Sequence, residues 1–185
     1  MGANSGGHNM TQWLVLLRGV NVGGHNRLPM AALRDLTDAL WPDAGASTYI
    51  ASGNLIFTAN GQAADISQSL SDAIAKNFNL TVPILTLPSQ TFLNAVATCP
   101  YTCDTGKTVH GYFYFKQPTI DTGRLADLRV HGEGLTLCQD VLWLHTPQGF
   151  GKSKLAERLG SVTGNVSMTA RNLNSCRKLA ALLDG

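Results

Sequence analysis

Residues 47–59 read STYIASGNLIFTA. β-Branched and aromatic residues stand on both sides of Ser52-Gly53-Asn54, so the pattern predicts two strands, STYIAS and NLIFTA, joined by a tight turn. Two strands in succession, with no helix between them, separate a split arrangement from a plain alternation of strand and helix. The segments on either side decide which split arrangement it is.

Upstream, WLVLLR (13–18) is a continuous apolar run of strand length, as in a buried central strand. The loop GVNVGGHNRL (19–28) follows, and Pro29 fits the first position of a helix, where its missing donor costs little. Met30, Leu33, Leu36 and Leu40 supply that helix's apolar stripe. Downstream, Asn60-Gly61 ends the second strand, and Ile66, Leu70, Ile74 and Phe78 recur at helical spacing from about Ala63 to Phe78. VPILTL gives a further strand, with Val82-Pro83 marking an edge position or a strand start. The order strand, helix, strand, strand, helix, strand is the split βαβ of a ferredoxin-like domain, an α/β plait with two helices on one face of an antiparallel sheet.

The order partly repeats. A helix is expected over Ser89–Ala97, then a strand at HGYFYF (110–115) and a short helix at Thr122–Arg129. LTLCQ and VLWLH follow as strands, turning at Gln139-Asp140. A helix over Ser153–Leu159, an extended segment near Val166–Met168 and a last helix over Ala170–Leu183, capped by Thr169, complete the chain. The expected class is α+β, with two ferredoxin-like halves and antiparallel sheets. Residues 1–9 are set aside as a disordered leader or expression scar. Residues 10–87 form the first domain, 88–107 a connector with one helix, its boundary in Pro100–Lys107, and 108–185 the second domain.

The chain has 185 residues, 44% hydrophobic and 14% charged, which suits a soluble globular protein. No apolar run approaches the roughly 20 residues that cross a bilayer, and the start lacks the apolar core of a secretory signal. A cytoplasmic protein with reduced thiols at Cys99, Cys103, Cys138 and Cys176 is expected. Cys99 and Cys103 lie four apart, but no second pair follows to complete a zinc site, so no metal and no cofactor are expected. Net charge is +2, too small to imply nucleic acid by itself. Its distribution is uneven: −1 over residues 1–87, +3 over 88–185, and +4 from Thr146 onward.

GFGKSKL (149–155) imitates a phosphate-binding loop. Such a loop needs glycine, four residues, then Gly-Lys-Ser/Thr, and the first glycine's place is held by Thr146. What survives is Lys152 with Ser153 as a cap at a helix start, which can hold an anion or can be an ordinary capped helix with a solvated lysine. The entrance to the last helix, with Arg171, Asn172 and Asn174, reads the same way. A third candidate is the loop after the first strand, where Arg18, Asn21, Gly23, Gly24 and Asn26 bring glycine freedom and amide donors and acceptors. The competing reading there is a loop tied by its own asparagines. HGYFYF resembles part of an RNA-binding signature but lacks its small residue, and its alternation suits core packing. No serine elbow, paired histidines or paired carboxylates supply a catalytic set.

Three stretches together, LLRGVNVGGHNRLPMAAL (16–33), TYIASGNLIF (48–57) and GKSKL (151–155) with MTARNLNSCRKLAALL (168–183), resemble the bacterial domain-of-unknown-function family 1697. The resemblance implies paired α/β-plait domains and no established activity, hence no catalytic residues. It groups Ser52, Gly53 and Asn54 with the Arg18 loop, Lys152, Ser153, Arg171 and Asn172 as family-like motifs. The reading at this point is a cationic, Asn/Gly-rich cleft between two halves that binds a phosphorylated or other anionic small molecule, a nucleotide or a nucleic-acid end. Its rivals are an enzyme acting on such a ligand and a structural or interaction protein. The loop after the first strand and the Ser52–Asn54 turn are expected near opposite ends of one sheet. The helix starts at Lys152 and Arg171 are expected to converge on the Arg18 loop.

Overall fold

The computed structural model describes residues 10–102 and 106–185. The leader at 1–9 and Cys103 lie outside the described residues. The chain divides between Ser89 and Gln90 into two compact units.

The first unit runs β1 (Thr11–Leu17), α1 (Met30–Leu40), β2 (Ser47–Thr48), β3 (Asn54–Ala59), α2 (Ala63–Phe78) and β4 (Ile84–Pro88). Its sheet has the order β2-β3-β1-β4 with every pair antiparallel, the ferredoxin-like topology. Alternation along the strands puts Trp13, Val15 and Leu17 of β1 beside Leu55 and Phe57 of β3. The helical stripes Leu33 of α1 and Ile66, Leu70 and Ile74 of α2 close over them in one apolar core. Trp13 keeps its indole donor satisfied on the Ala59 carbonyl at 3.0 Å, so the ring is buried without a lost hydrogen bond. Pro29 stands one place before α1, at its N-cap. β4 lies at the sheet edge, where Pro83 and Pro88 cost no central ladder bond.

The expected strand STYIAS shrinks to Ser47–Thr48. Tyr49 N–H donates to the Asn54 carbonyl at 3.1 Å, and the Asn54 side chain donates back to the Tyr49 carbonyl at 2.9 Å. This clamp bends the chain, and Ile50 takes φ 50. β-Propensity favours extension at Tyr49 and Ile50, but the local turn bonds between Tyr49 and Asn54 override it.

The second unit runs α3 (Ser89–Ala97), β5 (Val109–Tyr114), α4 (Thr122–Leu128), β6 (Gly134–Cys138), β7 (Val141–His145), α5 (Lys154–Glu157), α6 (Leu159–Val162), β8 (Met168–Asn172) and α7 (Leu173–Asp184). Its sheet, β6-β7-β5-β8, repeats the topology of the first and is again antiparallel. On one face Tyr112, Leu142 and Leu144 meet Leu128, Leu155, Leu159 and Val162 of α4, α5 and α6. On the other, Phe113 stacks on Phe92 of α3 with ring centroids 5.3 Å apart, and α7 packs against β5 and β8. Within HGYFYF, Tyr112 and Phe113 therefore pack into the core on opposite faces, as alternation indicates, while Phe115 at the strand's end is exposed. The hairpin turn at Gln139-Asp140 stands where expected, with Gln139 at φ 50.

Two helices differ from expectation. The helix over Ser153–Leu159 is two short pieces, interrupted at Arg158 (φ −107, ψ 21), although Leu155, Leu159 and Val162 keep one buried face throughout. The last helix begins at Leu173, not Ala170. Residues 168–172 are drawn into β8 by pairing with β5, and the Asn172 side chain, not Thr169, caps α7 by accepting from Ser175 N–H at 2.8 Å.

Candidate functional site

β1 and β3 are antiparallel, with Leu16 opposite Asn54, so the end of the first meets the start of the second. The Arg18 loop and the Ser52–Asn54 turn consequently share one end of the sheet, and the expectation of opposite ends is corrected. Leu17 N–H donates to the Gly53 carbonyl at 2.8 Å. Asn21 joins the two segments further: its Nδ2 donates to the carbonyls of Ala51 at 2.8 Å and Leu28 at 2.9 Å, and its Oδ1 accepts from Leu28 N–H at 2.9 Å. Asn26 closes the loop on itself, donating through Nδ2 to the Gly19 carbonyl at 3.0 Å while its own carbonyl accepts from Asn21 N–H at 3.1 Å. Buried Leu28 pins the far end into the core.

This knot uses the candidate asparagines for architecture. Both hydrogens of the Asn21 amide are committed to backbone carbonyls, and Asn54 Nδ2 is divided between the Tyr49 carbonyl and Ser52 Oγ, at 3.1 Å. Arg18, Gly23, Gly24, His25, Asn26 and Arg27 are exposed at the rim. Gly23 (φ 57) and Gly24 (φ 80) are the two left-handed central residues of a tight turn, closed by His25 N–H donating to the Val22 carbonyl at 3.0 Å. Residues 18–28 and 49–54 contain no carboxylate. Arg27 carries charge into the rim, although only the residues around it stand out in the sequence.

In the second unit Lys152 ends a short 3-10 turn, Phe150–Lys152, with its side chain exposed. The Ser153 hydroxyl accepts from Ala156 N–H at 3.0 Å, so it serves as the helix cap. Arg171 is not at a helix start. It sits in the edge strand β8 at 8% exposure, opposite Gly111. Its guanidinium donates to Thr169 Oγ1 at 2.9 Å and to the Ala170 carbonyl at 2.8 Å, and burial lowers its pKa to about 10. Phe150 lies on His110, 4.2 Å between ring centroids, while Arg171 is in register with the next residue, Gly111. By strand alternation the Lys152 turn and the Arg171 side chain therefore belong to opposite faces of the second sheet. Arg18 stands in the first unit, and Lys152, Ser153, Arg171 and Asn172 in the second.

Two features have no sequence signal. Asn174 reaches back 68 residues to accept from Gly106 N–H at 3.0 Å. A hollow of about 470 Å³ opens beside Cys99, Tyr101, Leu173 and Arg177, with the Tyr101 hydroxyl tied to Thr136 at 2.8 Å and its pKa raised by burial. Among the described residues no cluster of three or more His, Cys, Asp or Glu could hold a metal ion. No helix among them is long and apolar enough to cross a membrane.

Two four-stranded antiparallel sheets of one topology, each with its own helices, define a protein of two ferredoxin-like halves. Residues 10–143 match the family described as Protein of unknown function (DUF1697), and the chain belongs to that family. Among solved structures, the conserved bacterial protein SP0830 from Streptococcus pneumoniae has the same fold, with a TM-score of 0.74 and 24% identity over 94% of this chain and 99% of that one. Comparison with curated proteins gives no match.

Proposed function

We propose that the protein binds an anionic ligand, a phosphoryl or carboxylate group, at the knot formed by the Arg18 loop and the Ser52–Asn54 turn. The supporting observation is a braced loop that presents exposed Arg18, His25 and Arg27 around the Gly23-Gly24 turn. A braced loop loses little conformational entropy when it binds, which favours affinity. Phosphorylated small molecules and nucleotides fall within this class, and binding rather than turnover is the assigned role. The cytoplasm is the compartment proposed for it, supported by the free thiols of Cys138 and Cys176.

The test is titration of ¹⁵N-labelled protein with inorganic phosphate and with AMP. Saturable shifts of the Gly23, Gly24 and His25 amides are expected. Arg18→Ala combined with Arg27→Ala should weaken binding at least tenfold, since a charge-assisted bond is worth about 1.5–3 kcal/mol. Shifts that stay linear, or that fall elsewhere in the chain, defeat the reading. Steady conversion of AMP by the purified protein would move the assignment from binding module to enzyme.

A further inference from the structure

Ile50 is β-branched, yet it stands at φ 50, a region such side chains enter only when the surroundings hold them there. The holders are on both sides. Tyr49 is clamped to Asn54 by two hydrogen bonds, and the Ala51 carbonyl is held by Asn21. The result of this constraint is an apolar side chain 49% exposed to water. Val22, the chain neighbour of Asn21, is 63% exposed at the other side of the same bond. The Asn21–Ala51 hydrogen bond thus unites two segments that each display an apolar tip, on a rim carrying Arg18, His25 and Arg27.

We infer that this knot is a docking surface for an acidic protein segment, one that sets an apolar side chain on Val22 and Ile50 and carboxylates on the surrounding cations. The inference rests on the anion reading above and names its partner. Charge complementarity selects an acidic occupant, because the rim presents Arg18, His25 and Arg27 to solvent. The exposed valine and isoleucine select a protein segment over a bare phosphate, which would gain nothing from them. Two arginines and a histidine fall short of the basic stripe that follows a nucleic-acid backbone. Two isolated apolar tips fall equally short of the broad apolar face that an interfacial membrane helix buries.

Two fluorescein-labelled peptides test this by anisotropy: one with four glutamates around a central Leu-Phe pair, the other with Ser-Ser at that centre. The Leu-Phe peptide is expected to bind at least tenfold more tightly. Val22→Ser with Ile50→Gly should erase that difference while leaving the phosphate titration unchanged. Glycine suits φ 50, so the second substitution removes the side chain without opposing the backbone. Equal binding of the two peptides, with phosphate still bound, overturns the partner and leaves the anion reading standing. Absence of both phosphate and peptide binding overturns both. Tighter binding to a 20-nucleotide single strand or to phosphatidylserine vesicles than to the Leu-Phe peptide assigns the surface to another class of partner and overturns the inference.

Discussion

Asn21 Nδ2 donates to the Ala51 carbonyl at 2.8 Å across 30 residues of chain, and this bond fastens the loop after β1 to the turn before β3. The same side chain makes two more bonds to Leu28. At about 1 kcal/mol net per hydrogen bond, Asn21→Ala should cost about 2–3 kcal/mol in urea unfolding. Asn26→Ala, which removes one side-chain bond to Gly19, should cost about 1 kcal/mol. Equal losses from the two substitutions would contradict the assignment of Asn21 as the principal brace.

Gly53 is fixed by space as well as by conformation. At φ 76, a Cβ there would lie 2.6 Å from Val20 Cγ2 and 2.7 Å from Leu17 Cβ. Gly53→Ala should therefore destabilise by about 2–4 kcal/mol, combining left-handed strain with overpacking. Gly24 (φ 80) has nothing within 4 Å of its ideal Cβ, so Gly24→Ala should cost only the conformational part, about 1 kcal/mol. Paired thermal melts of the two variants check the ordering, and a Gly24→Ala loss matching that of Gly53→Ala would reject it.

The fold was readable because its strands are apolar runs punctuated by Pro and Gly. WLVLLR, NLIFTA and VLWLH became β1, β3 and β7 within a residue or two. What failed depended on distant partners. The extent of β8 is decided by β5, some sixty residues earlier, since Ala170, Arg171 and Asn172 have no local preference for a strand. The break at Arg158 is hidden because the apolar spacing continues through it. Within the site, the asparagines identify a structured loop, but sequence alone does not say whether their amides face a ligand or the backbone. The bonds to Ala51 and Leu28 answer that for Asn21. Ile50 could not have been found, because β-branched residues argue against a positive φ.

The imitation phosphate loop leads to a negative prediction. Thr146 is fully buried, its N–H and hydroxyl both given to the Thr108 carbonyl, and Ser153 Oγ is engaged as a cap. Purified protein should show no magnesium-dependent ATP hydrolysis, and Lys152→Ala should leave its melting temperature within a degree or so, as for a surface change. Ser153→Ala should instead cost about 1 kcal/mol through the lost cap. ATP turnover abolished by Lys152→Ala would show that the loop does bind nucleotide.

Burial holds two acids of the second unit in their neutral forms. It pushes the Tyr112 hydroxyl up to about 12 from 10, and the Cys176 thiol up to about 12 from 9, the latter partly offset by the Arg171 guanidinium. Both folded pKa values lie above the unfolded ones. Their contribution is therefore complete below about pH 9 and declines as pH rises from there toward 12. Alkaline unfolding monitored by tyrosinate absorbance should begin in that window, and Tyr112→Phe should move its midpoint upward. An unchanged midpoint in Tyr112→Phe would show that another group governs the transition.

β8 ends at Asn172 and α7 begins at Leu173, with no spacer between them. Asn172 is both the strand partner of His110 and the cap that bonds Ser175. The phase of the helix is thus geared to the phase of the strand. A slip of β8 by one residue would invert the sides on which Thr169 and Arg171 project and, in the same step, rotate α7 by about 100° at 3.6 residues per turn. Cys176 and Leu179, both fully buried, would leave the core together. A misaligned edge strand cannot persist as a local fault, because the helix beyond it would unseat with it; the junction acts as a proofreading step for the final alignment of the sheet.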